Sequence, residues 1–97
     1  MSYMVIFKLS PENEANRETL VELIKTFEPH TKISDTAYLI YAQREVYEVY
    51  AQFQPLIKEG DFLYVIRVVC QWEGVGDADI THWLRYYASP LLGEVII

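Results

Sequence analysis

Apolar residues along this chain repeat at a period of two in some stretches and near 3.6 in others, and each switch marks a predicted element. Residues 3–9, YMVIFKL, place Tyr3, Val5, Phe7 and Leu9 on one side of a strand and Met4, Ile6 and Lys8 on the other. Ser10-Pro11 follows as an N-cap with proline at the first helical position, where its missing N–H costs nothing. The helix carries Leu20, Leu23, Ile24 and Phe27 as one stripe, with Glu14, Arg17, Glu18, Glu22 and Lys25 away from it. Pro29 stops it.

Residues 31–42, TKISDTAYLIYA, read as extended chain with a bend at Ser34-Asp35, and Thr36 to Tyr41 is β-branched and aromatic. A second helix is predicted from Gln43 to about Lys58 on Val46, Val49, Tyr50, Phe53 and Ile57. Pro55 kinks or shortens it, and Gly60 caps it. Asp61 to Trp72 is the strongest strand signal. Phe62, Tyr64, Ile66, Val68, Cys70 and Trp72 form one apolar face; Leu63, Val65, Arg67, Val69 and Gln71 form a second that is still largely apolar. The loop EGVGDAD then leads to a short helix from Asp79 to about Ala88, on Ile80, Trp83, Leu84 and Tyr87, with Asp79 as its cap. After Ser89-Pro90 comes GEVII, a short strand-like stretch.

The order of elements predicts an α+β fold in a single domain over residues 1–97. Its expected form is a ferredoxin-like two-layer sandwich, a βαββαβ core with both helices on one sheet face, plus a C-terminal helix and a short terminal strand. The other sheet face then needs a cover. Met4, Ile6, Leu63, Val65 and Val69 are placed there, and alternation puts Lys8 and Arg67 on that face too. Burying such apolar side chains is worth roughly 1.5–3 kcal/mol each, so the C-terminal helix or a second copy is expected to cover them. The preferred expectation is a homodimer, in which Val95, Ile96 and Ile97 add a strand to a neighbouring sheet.

Composition strengthens that expectation. At 52% hydrophobic, with eight tyrosines and two tryptophans, the chain has more apolar surface than a small two-layer fold hides, which points to a partner, a protein partner included. A formal charge of −6 disfavours nucleic acid, because phosphate binding runs on Lys and Arg, and the eight basic residues here are scattered. The strand tyrosines, Tyr3, Tyr38, Tyr41 and Tyr64, have few basic residues around them and read as packing groups rather than base-stacking platforms. Cys70, the only cysteine, lies in an apolar run as a buried thiol. With no signal peptide and no long uncharged apolar segment, the expected location is cytoplasmic, with no membrane contact.

Chemistry is sparse. His30 and His82 have no second ligand at helical spacing, Glu73, Asp77 and Asp79 fit no calcium loop, and Ser34-Asp35 has no histidine base nearby in sequence. No catalytic residue, metal site or cofactor is predicted. Lys8 is the exception that invites a role: a basic side chain at the end of the first strand, reaching solvent, a carboxylate or, with Arg67, a phosphate.

The run MVIFKL, the amphipathic helix after it, SDTAYLIYA, the second helix, DFLYVIRV and the later THWL together resemble one family. The chain is similar to the small CRISPR-associated endoribonuclease-like proteins that scaffold spacer integration and to their relatives outside CRISPR loci, virulence-associated protein D among them. The resemblance implies a ferredoxin-like homodimer with facing sheets. It also implies that nuclease members hold a divalent metal between subunits on an aspartate near the end of the first strand. Lys8 stands at the matching position here. Magnesium wants carboxylate and water oxygens, and an ammonium about 4 Å from a dication is repelled by roughly 8 kcal/mol at an effective dielectric near 20. The expected function is therefore a non-catalytic homodimeric binding or scaffold protein. The alternative is a metal-dependent endoribonuclease or toxin whose metal has moved to Asp35 or Asp61.

Overall fold

A computed structural model describes residues 1–69 and 72–88. Strand β1 (Ser2–Lys8) is apolar on both faces, and its Tyr3, Val5 and Phe7 are fully buried. A 3-10 segment, Pro11–Asn16, leads into helix α1 (Arg17–Ile24), then strands β2 (His30–Ser34) and β3 (Ala37–Tyr41). Helix α2 (Val46–Phe53) continues as a 3-10 turn, Gln54–Leu56, before strand β4 (Phe62–Val68) and helix α3 (Ala78–Tyr87). The strands form one four-stranded antiparallel sheet in the order β2-β3-β1-β4. The architecture is α+β.

Strand β1 lies inside the sheet because both of its faces can be buried. Val5 is opposite Tyr38 of β3 and Val65 of β4, which sets the alternation for its neighbours. Tyr3, Val5, Phe7, Tyr38, Ile40 and Leu63 point to the layer of α1 and α2, where Leu20, Ile24, Val49 and Phe53 close the main core. The opposite face carries Met4, Leu39, Tyr41 and Val68, and Trp83 of α3 packs on it with Ile80 and Leu84.

Helix α3 covers only part of that outer face. Phe62, Tyr64 and Ile66 of β4 stay exposed at 42%, 60% and 48%. Here the structure corrects the sequence reading. Leu63 and Val65 sit on the helix side, Leu63 buried against Phe7, while Phe62, Tyr64 and Ile66 share the outer face with Met4, Ile6 and Lys8. Both faces of β4 are apolar, so hydrophobicity alone could not choose the phase; pairing with β1 does. Val69, just past the strand, is exposed. Cys70 and the stretch Val95, Ile96, Ile97 lie outside the described residues.

The helix limits also differ. The sequence pattern starts the first helix at Pro11, but Asn13 and Asn16 bond through their side chains and hold residues 11–16 in a tighter 3-10 form. Ser10 makes no side-chain cap; its amide is used elsewhere. The second helix starts later than Gln43, at a capping box in which Glu45 and Glu48 satisfy each other's amides. Pro55 shortens it as expected, and Gly60, at φ 94°, turns the chain into β4 instead of capping the helix. Asp77, not Asp79, caps α3, its Oδ1 accepting from the amides of Asp79 at 2.7 Å and Ile80 at 3.2 Å.

The corrected phase of β4 is testable by equilibrium unfolding. Leu63→Ala should cost about 2–5 kcal/mol, as for other buried leucines, and Ile66→Ala clearly less, since half of its surface is already in water. Equal losses would mean the phase is wrong.

Candidate functional site

The end of β1 gathers the residues singled out for chemistry. Lys8, the last residue of the strand, is exposed on the outer face and lies opposite Phe62. Asp61 directly precedes Phe62, and the Asp35-Thr36 turn joins the same end of the sheet, where the Phe7 amide donates to the Thr36 carbonyl at 3.0 Å. Lys8, Asp35 and Asp61 thus share one end of the fold. Arg67 does not. It faces the helix side opposite Tyr3, so Lys8 and Arg67 occupy opposite faces and opposite ends of the β1–β4 pair. Five residues at about 3.3 Å each separate them along the strands, too far for a single phosphate.

Asp61 is already engaged. Its Oδ1 accepts from the Ser10 amide at 2.6 Å, and its Oδ2 accepts from Asn13 Nδ2 at 2.6 Å and the Lys58 amide at 2.7 Å. Asn13, almost fully buried, also donates to the Leu56 carbonyl at 3.0 Å, and Asn16 donates to its Oδ1. The Ser10 amide, joined by Lys58 and Asn13 and opposed by desolvation, holds the Asp61 carboxyl down at about 2 against an ordinary 3.8. A cation here would have to displace these donors. Asp61 works as a tie between the turn after β1 and the turn before β4.

Asp35 is engaged differently. Its carboxylate pairs with Lys32 at 3.0 Å on an exposed turn, and that bond holds it below the usual carboxylate range. Arg17, which stacks over Phe7 at 5.4 Å, donates to the Asp35 backbone carbonyl. Among the described residues, no three His, Cys, Asp or Glu side chains converge as metal ligands. His30 donates from Nδ1 to the Phe27 carbonyl at 2.9 Å, with Glu28 at 3.6 Å, and His82 packs on Tyr86 with ring centroids 4.7 Å apart.

Two surface features were not legible as sites. A groove of about 410 Å³ runs between α2 and β4, lined by Val46, Tyr47, Tyr50, Leu63, Tyr64 and Val65. None of its lining residues is charged, and Tyr47 is 70% exposed. Its sequence signal was present: α2 has more apolar positions than one stripe can bury, and only Val49 and Phe53 go under. A larger groove of about 830 Å³ between α1 and β2 mixes Arg17, Lys25 and Lys32 with Glu14, Glu18, Glu22 and Asp35. Its charges largely cancel, and Arg17 and Lys32 are already paired.

No protein-family model matches the chain, and no curated protein matches it significantly. Among the described residues no helix is long and apolar enough to cross a membrane.

The Asp61 tie predicts an acid dependence with a defined sign. Its folded-state value lies below the unfolded one, so the bonds it accepts stabilise the fold above 3.8 and are lost as the pH falls toward about 2. Asp61→Asn should be less stable than wild type at neutral pH, and the gap should close across that acid window in urea titrations. A gap independent of pH would show that the carboxylate charge is not what holds the turns.

Proposed function

We propose that this protein is a non-catalytic homodimeric binding or scaffold protein, built on a ferredoxin-like fold similar to that of the CRISPR-associated endoribonuclease-like family. The observation that carries the reading is the state of the β1 end. An exposed lysine stands where the resemblance expects the metal-holding aspartate, and the neighbouring carboxylate of Asp61 is consumed by backbone and side-chain donors. The sheet order β2-β3-β1-β4, two helices on one face and a third helix on the other support the ferredoxin-like part of the reading.

Association supplies the activity in this proposal. The outer face of β4 presents Phe62, Tyr64 and Ile66 to water beside α3, an apolar surface of the kind that marks protein contacts. A second copy takes part of this surface, and a protein partner takes the rest. Arg67, displaced to the helix side, leaves Lys8 as the cation of the outer face of the β1–β4 pair.

The test is a cleavage assay on labelled single-stranded RNA and duplex DNA with magnesium or manganese, with mass measured by light scattering in the same samples. Wild type is expected to be an inert dimer, and Lys8→Asp to gain metal-stimulated cleavage at a low level. Metal-dependent cleavage by wild type, lost in Asp35→Ala or Asp61→Ala, would replace this reading with an endoribonuclease or toxin whose metal site has moved.

A further inference from the structure

Among the described residues the sheet ends in β2 on one side and β4 on the other, and these two edges are not alike. Strand β2 is guarded: it has five residues, carries Lys32 in an ion pair with Asp35, and breaks register against β3 between Lys32 and Ser34. Charges, short length and bulges are the devices that keep an edge from pairing with another chain. Strand β4 is neither short nor bulged. It runs seven residues in unbroken register with β1, and Arg67 is its one charge. Apolar groups flank its free edge on both sides, Val46, Tyr47 and Tyr50 in the groove above and Phe62, Tyr64 and Ile66 on the face below.

We propose that two copies pair β4 to β4 in antiparallel fashion about a two-fold axis at Val65, joining their sheets into one. This rests on the homodimer reading above, but it joins the two sheets edge to edge in place of the facing sheets that the resemblance implies. An antiparallel strand pair is self-complementary, as a two-fold contact requires. Centring it on Val65, the middle of the strand, sets Tyr64 opposite Ile66 of the second copy and Arg67 opposite Leu63. Like charges never meet. The exposed fractions of the six flanking side chains offer on the order of 500 Å² per copy, taking about 200 Å² for a whole aromatic side chain. That is most of the roughly 800 Å² per partner of a standard interface, before the strand backbones themselves are counted.

Sedimentation equilibrium on the full chain, with disulfide trapping, tests the pairing. In a Cys70→Ser background, Val65→Cys should cross-link the dimer on mild oxidation, and Ile33→Cys at the β2 edge should not. Tyr64→Lys should weaken the dimer by about tenfold or more, and Tyr64→Lys with Ile66→Glu should restore it by pairing unlike charges across the strands. A stable dimer with neither the Val65→Cys cross-link nor the charge rescue would overturn this geometry and leave the homodimer reading standing. A monomer at all concentrations would overturn both. If its β4 amides were also protected from hydrogen exchange, a segment of the same chain would be covering the edge.

Discussion

Pairing Val5 with Val65 settles more of this molecule than any other contact. Side chains alternate with a period of two, so one registered pair assigns every residue of β1 and β4 to a face. Leu63 goes into the core with Phe7, Tyr64 goes to the surface with Ile6, and Lys8 meets Phe62 while Arg67 meets Tyr3. A slip by one residue would bury Arg67's neighbours differently and bring Tyr64 and Ile66 under α2. The Asp61 carboxylate opposes such a slip, because it bonds the backbone just after β1 and sits one residue before β4.

The elements were legible wherever one pattern had no competitor. Leu20 and Ile24 mark α1, the aromatic and β-branched run marks β3, and Pro55 ends α2, each for a local reason the folded chain respects. The phase of β4 was not legible, because a strand apolar on both faces carries no amphipathic signal. Nor was the role of Asp61. Besides the nearby Lys58 amide, its donors come from Ser10 and Asn13, about fifty positions away in sequence, and only the fold brings them together. Asn13 and Asn16 carry no sequence signal of their own, yet their side chains bond to each other within the 3-10 stretch that precedes α1.

This division bears on the candidate site. Lys8, Asp35 and Asp61 could each be picked from sequence as isolated chemistry-bearing residues, and the fold does collect them at one end of the sheet. Proximity to one end is still not convergence. Asp35 is bound to Lys32, Asp61 to two amides and an asparagine, and Lys8 points to the outer face. A carboxylate bonded by several donors is stabilised as an anion yet has little lone-pair capacity left for a metal, so its low pKa reports structure and not catalysis.

What the fold leaves in water is better evidence of purpose than what it gathers. Isolated exposed apolar groups are ordinary, but Tyr47, Tyr50, Tyr64, Phe62 and Ile66 all surround one strand. Elsewhere in the sheet, Trp83 of α3 shields Leu39, and β2 is broken by a bulge and carries a charged pair. Val75, Tyr86 and Tyr87 are exposed as well, on a loop and on α3, but the cluster around the β4 edge is what supports the proposed association. The edge's backbone donors and acceptors would direct the approach of another strand, while the tyrosines, polar at one end and apolar at the other, tolerate both water and a partner.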